Sequence, residues 1–251
     1  MDANTWFLVC LSVVVVGPFS AVLLPSLLGE TMLGIDLGTT YSVAAVCHRG
    51  NVTIAQIGGE NTMPSVVYFG KGRPAEVGYD AAAKRALFPQ NTVYDAKRII
   101  GRNLTTDALA QLEVSELPYR VVDLGNGSIG IKIPGVDPVQ TPQTVGSVLL
   151  AHLKKTAEEA SPWRKMFGFR FKSATVSVPV GFTHEQRAAT VRAGEAAGFR
   201  MVRLLEEPVA AAIAFGLHRG SRERTALVYD MGGGTLDVAL LRLELRTRTF
   251  L

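Results

Sequence analysis

Gly34-Ile35-Asp36-Leu37-Gly38-Thr39-Thr40-Tyr41-Ser42 joins two β-prone runs, Met32 to Ile35 and Tyr41 to Val46. The same pattern returns at Tyr229-Asp230-Met231-Gly232-Gly233-Gly234-Thr235-Leu236-Asp237-Val238. Each copy reads as strand, tight turn, strand. Glycine permits the turn and brings bare backbone N–H groups against a ligand. The threonines add hydroxyl donors, and the leading aspartates can hold the water shell of a divalent ion. A single Asp-x-Gly-Thr is ordinary hairpin chemistry. Its repetition suggests duplicated halves around one cleft that clamps a nucleoside triphosphate and its metal. Neither copy fits the Gly-Lys phosphate loop or the dinucleotide fingerprint, because no helix opens on the glycines.

Outward from these hairpins, strands alternate with helices, which predicts an α/β fold. Val52 to Ile57 and Ser65 to Phe69 read as strands, and Glu76 to Leu87 as an Ala-rich helix. Tyr94-Asp95-Ala96-Lys97-Arg98-Ile99-Ile100-Gly101 is a short basic helical turn. Thr106 to Val114 is helical, and Asn126-Gly127 turns a hairpin between Arg120 to Leu124 and Ser128 to Ile133. Thr141 to Ala160 carries Val145, Leu149 and Leu153 on one helical face. His152 shares that stripe and reads as a packed residue. Ala174 to Val178 is a buried strand. Thr183 to Gly198 opens with a capping-like start. Arg200 to Leu205 is a strand, and Pro208 sits in the first turn of the next helix.

The chain has 251 residues, 47% hydrophobic and 19% charged, which is the composition of a globular protein. A net charge of +4 from scattered arginines gives no reason to invoke nucleic acid. Two cysteines, Cys10 and Cys47, make no disulfide framework. Trp6 to Leu28 is apolar and long enough for a bilayer, so residues 1–31 read as a signal peptide or signal-anchor, the chain's only expected contact with membrane. Asn51, Asn103 and Asn126 head N-x-[ST] triplets, usable only in a secretory lumen. The basic, aromatic stretch Trp163 to Lys172 reads as a solvated loop with a few core anchors.

Phosphoryl transfer needs phosphate cradles, a metal anchor, a positive charge and a group to orient water. Gly38, Thr39, Thr40 and Gly232 to Thr235 would supply the cradles, and Asp36 and Asp230 the anchor. Lys97 is a candidate for the charge, although lysines on helices are mostly solvated. Glu207 lies at a strand end before a helix, where ligands gather in α/β sheets. Glu206 beside it is an equal candidate from spacing alone.

These motifs, with Glu207-Pro208-Val209-Ala210-Ala211-Ala212-Ile213-Ala214-Phe215-Gly216-Leu217, resemble the ATPase domain of the heat-shock 70 kDa (DnaK-type) chaperones. The resemblance runs from about Met32 to Leu243. It implies an actin-like ATPase fold of ribonuclease H-like lobes, with ATP and Mg²⁺ in the cleft. The first lobe would be complete, its core formed by 32–64 and 142–220 and an insertion subdomain by 65–141. The second lobe would begin at 221–251 and be partial. The resemblance implies catalytic roles for Asp36, Lys97, Glu207, Asp230 and Asp237. It places phosphate contacts at Gly38, Thr39, Thr40, Tyr41, Gly232, Gly233, Gly234 and Thr235, and a relay between lobes at Pro179 and Arg187. It resolves the choice between the glutamates toward Glu207, while Glu206 stands where the family usually has Asn. The leader, Pro89 to Lys97 and Phe215 to His218 look most like the family's microsomal ATPase-core branch, which lacks a peptide-binding domain. That branch implies the endoplasmic reticulum, lumenal or membrane-anchored, with co-chaperones, ubiquitin-like or secretory-pathway proteins as partners. A catalytically weak, membrane-tethered adaptor is the alternative. A sugar kinase shares the two clamps but not the Lys97 and Glu207-Pro208 motifs.

Overall fold

A computed structural model of the chain describes residues 32–48, 51–160, 170–219, 223–233 and 235–244. The leader and most of the basic aromatic stretch lie outside them. Strands β1 (Met32–Leu37), β2 (Tyr41–His48) and β3 (Asn51–Ile54) form an antiparallel meander. After short strands β4 (Met63–Pro64), β5 (Val67–Tyr68) and β6 (Glu76–Val77), helix α1 (Tyr79–Ala82) and β7 (Thr92–Val93) follow. Helices α2 (Ala96–Ile99) and α3 (Ala108–Ser115) precede the hairpin β8 (Arg120–Asp123) and β9 (Ile129–Lys132). Then come α4 (Pro142–Glu159), β10 (Ser173–Val178), α5 (His184–Ala196), β11 (Met201–Glu206) and α6 (Glu207–Ala214). The hairpin β12 (Arg224–Met231) and β13 (Leu236–Leu243) ends the described chain.

The main sheet runs β11-β10-β1-β2-β3, with β4 added beside β2. Strands β1, β10 and β11 are parallel, and β1, β2 and β3 are antiparallel. Alternation decides which face is covered. Leu33, Ile35 and Leu37 on β1 and Ala174, Val176 and Val178 on β10 are buried. Val145, Leu149 and Leu153 of α4 and Ala193 of α5 join β1 and β10 in one core. The opposite face of the same strands therefore carries Gly34, Asp36 and Ser177, free of the core and available to a ligand.

The helix expected over 76–87 is cut short. Val67 pairs with Val77, so β-pairing claims the first two residues, and Gly78 (φ 73°) breaks the chain before α1. After Ala82 the chain continues as turns to Leu87. The strand expected over 52–57 shortens likewise to β3, with an isolated bridge between Ile57 and Glu60. At α5 the Thr183 side chain accepts from the Gln186 amide while the Gln186 side chain returns to the Thr183 amide, a complete capping box.

Candidate nucleotide site

Strand β1 ends at Leu37, and the chain turns at Gly38. A Cβ on Gly38 would lie 2.1 Å from the Tyr41 carbonyl oxygen, so only glycine fits this turn. The turn is held from outside by a serine the sequence reading passed over. Ser65 Oγ donates to the Gly38 carbonyl (2.7 Å), and the Ser65 amide donates to the Thr40 carbonyl (2.8 Å). Ser42 Oγ lies 2.8 Å from Ser65 Oγ and supplies the next hydroxyl in the chain. Both serines are buried, which strengthens the bonds and raises the penalty for breaking them. Nothing in local spacing pointed to Ser65, because its contacts are made 23 and 27 residues away.

Register brings Asp36 beside Ser177, whose hydroxyl donates to Asp36 Oδ1 at 2.6 Å. Asp36 is exposed on the open face of the sheet. Lys97 comes from α2, and Asp95 at that helix's N-cap adopts φ 55°, a left-handed turn that Asp tolerates better than most residues. Lys97 Nζ bonds Glu207 Oε1 at 2.6 Å across 110 residues, with side chains only 11% and 15% exposed. Glu207 itself is fixed by the junction of β11 and α6. Burial pushes its carboxyl above the ordinary glutamate range, Lys97 pulls it back, and the charges of Asp36 and Asp230 add to the rise. That influence places both aspartates electrostatically close to the Lys97–Glu207 pair.

The second loop approaches the first. A Cβ on Gly233 would lie 2.8 Å from Thr40 Oγ1, so the two turns touch at these residues. A cavity of about 210 Å³ lies where they meet, bounded by Thr39, Thr40, Ser65, Gly233 and by Arg85 and Tyr94, whose guanidinium and ring stack 3.6 Å apart. Behind Gly38, a space of about 20 Å³ beside Lys97 and Ser177 has room for one water. Asp237 pairs directly across the hairpin with Asp230. The Gly232 N–H closes the turn by donating to the Thr235 carbonyl at 2.9 Å. Gly234 lies outside the described residues. Tyr41 is exposed beside the first loop.

Pro179 follows the end of β10, and Arg187 lies in the first turn of α5. Arg187 donates to the carbonyls of Val180 and Phe182, both at 3.1 Å, and to Glu206 Oε1 at 3.0 Å. Glu206 is the N-cap of α6 but makes no side-chain cap bond. Its carboxylate is turned to Arg187 instead. The two adjacent glutamates thus serve different partners, Glu206 the β10 loop and Glu207 the lysine.

The Hsp70 protein family profile matches residues 32–246. The chain belongs to the Hsp70 family. It is 40% identical over 217 residues to the chaperone protein DnaK of Anaplasma marginale, across 85% of this chain and 31% of that protein. It is 39% identical over 215 residues to heat shock 70 kDa protein 2 of Paracoccidioides lutzii, across 84% of this chain and 32% of that protein. A human relative of the heat shock 70 kDa group is 39% identical over 218 residues, with 57% of its length covered. The chain therefore spans about a third to a little over half of these relatives. The matched part is the family's ATPase-domain region, and the mixed α/β architecture agrees with an actin-like lobe.

Proposed function

We propose that the chain binds Mg·ATP between the Gly38–Thr40 and Gly232–Thr235 turns and hydrolyses it, as a chaperone-type ATPase of the endoplasmic reticulum. The observation that carries this reading is the Lys97–Glu207 ion pair, held 2.6 Å apart beside two glycine turns that touch each other. The relatives' names include chaperone and heat-shock proteins, which supports the chaperone class. The apolar leader and the N-x-[ST] triplets support the compartment.

The donor set suits a hydrated magnesium ion. Among the described residues no group of three His, Cys, Asp or Glu side chains could cage a metal. Two carboxylates, Asp36 and Asp230, can hold an ion that keeps most of its waters and takes the rest of its shell from phosphate. When bound, the ion neutralises phosphate charge. The chain's own groups do the remainder. Backbone N–H groups and hydroxyls of both turns cradle the phosphates. Lys97, oriented by Glu207, faces the charge that develops as water attacks the terminal phosphorus in line. Glu207, whose carboxyl burial pushes above the ordinary glutamate range, accepts a hydrogen bond from the lysine or the attacking water.

Phosphate release by the purified chain under Mg·ATP tests this. Lys97→Ala is expected to abolish turnover while retaining most nucleotide binding measured by calorimetry. Equal turnover in variant and parent would remove Lys97 from the chemistry, and no binding in the parent would sink the reading itself.

A further inference from the structure

The fold gives the N-x-[ST] triplets different surroundings. An N-linked sugar is joined to the side-chain Nδ2, so the partners of that atom decide what the folded chain tolerates. Asn103 Nδ2 donates to the Asn126 carbonyl at 3.0 Å. Asn103 Oδ1 accepts from the Thr105 amide (2.9 Å), the Thr105 hydroxyl (2.8 Å) and the Thr106 amide (3.1 Å). Gly127 closes against the same group: a Cβ there would lie 2.0 Å from Oδ1 and 2.5 Å from Nδ2. The Asn103 side chain therefore pins its own loop to the β8–β9 turn. Asn126 supplies the other half of that joint, at φ 56° in the turn itself. A sugar on Asn103 would prise the joint apart.

Asn51 is placed otherwise. It opens β3 opposite His48, and all four residues of that strand, Thr53 of the triplet included, are exposed. β3 is the last strand of the main sheet, and among the described residues no strand pairs with its outer side. Asn51-Val52-Thr53-Ile54 contains no charge and no proline, and Val52 and Ile54 are 67% and 48% exposed. An apolar open edge of this kind is a template for a strand of another molecule, which proteins blunt with charge, proline or a cover. A bulky, hydrated sugar chain at Asn51 is such a cover. Strand β2 separates this end of the sheet from the Gly38 turn by about 23 Å, at roughly 3.3 Å per residue, so the cover leaves the nucleotide site clear.

We propose that Asn51 carries an N-linked glycan that shields the outer edge of β3, while Asn103 stays bare in the folded protein. This rests on the endoplasmic-reticulum reading above. The sugar comes from a lipid-diphosphate-linked oligosaccharide. A bond forms between Asn51 Nδ2 and C1 of the first sugar, and the bond from C1 to the phosphate oxygen breaks. The lipid diphosphate leaves with the electron pair, and Nδ2 gives up one proton.

The test is translation of the full 251-residue chain with endoplasmic-reticulum microsomes. Gel mobility before and after endoglycosidase H reads the glycan, and protease protection reads the compartment. The expected result is a protected, endoglycosidase-sensitive band that loses one glycan step in Asn51→Gln and in Thr53→Ala, and none in Asn103→Gln. The parent pattern in Asn51→Gln, or a protected chain with no sensitive band, overturns the proposal alone. A step lost in Asn103→Gln overturns the exclusion of that residue. An unmodified chain open to protease overturns the compartment and the glycan together. Sedimentation velocity before and after enzymatic removal of the sugar tests the shield. More self-association after removal, reversed by Val52→Lys, is expected, and unchanged sedimentation overturns the shielding role.

Discussion

At Glu207 two effects oppose each other, and the outcome is measurable. Burial favours the neutral acid, and Lys97 at 2.6 Å favours the carboxylate; burial prevails and the carboxyl titrates high. A folded value above the unfolded one means that the ionised group lowers stability, a loss that grows as pH rises through the folded value and vanishes in acid. Titration of the Glu207 carboxyl by ¹³C NMR is expected to sit above free glutamate. It should rise further in Lys97→Ala, because the one cause that lowers it is gone. A fall in that variant would mean that burial does not dominate. Ser65 works through position. Ser65→Ala removes the hydroxyl that holds the Gly38 carbonyl and is expected to cost about 1–3 kcal/mol, because it also takes away the partner of the buried Ser42 hydroxyl. Nucleotide affinity should fall with it, read by calorimetry beside a urea melt. A stability loss with unchanged affinity would separate Ser65 from the loop's function. Ser65 was not legible in the sequence. A serine beside a proline has no pattern, and its role exists only once strands 23 residues apart meet.

At the scale of elements, long periodic segments were readable and short ones were not. Helix α4 shows its stripe plainly because the helical period repeats over 18 residues. Its C-terminal end holds a feature with no signal at all. Glu158 is buried, and it accepts from the Phe171 amide at 2.8 Å and from Arg170 at 2.7 Å. It thereby ties the end of α4 to the start of β10, where the chain re-enters the sheet. Glu158→Ala is expected to destabilise by about 1–3 kcal/mol, since it removes the buried carboxylate that accepts from the Phe171 amide. Arg170→Ala should matter far less, because that side chain is 68% exposed and solvent screens its charge. Urea midpoints of the two variants check the ranking, and equal losses would place the weight on the ion pair. The helix expected over 76–87 failed for the opposite reason. Alanine content favoured a helix locally, but Val77 gains more by pairing with Val67 in the sheet.

For the whole molecule, the cleft is a coupling between distant parts. Lys97 and Glu207 lie 110 residues apart, and Thr40 and Gly233 come from the two glycine turns. A ligand seated among them binds only the folded chain and should raise its melting temperature. The gain is about 2.7 kcal/mol at a hundredfold excess over Kd. Scanning fluorimetry with ATP is expected to show this shift with magnesium and to lose most of it with a chelator. Asp36→Asn together with Asp230→Asn should abolish the dependence on magnesium. A shift indifferent to both changes would separate these aspartates from the ion.

Local chemistry written into the sequence determined the two Asp-Gly-Thr turns, the long helices and the Hsp70 membership. A glycine turn or a helical stripe is specified by neighbours a few residues apart, and such motifs survive being read one at a time. Tertiary structure alone decided the partners. It set Glu207 on Lys97, Glu206 on Arg187, and Ser65 under the first turn. Those pairings depend on sheet register and helix packing. Residues scores of positions apart become neighbours only when the core closes, so no local pattern could announce them.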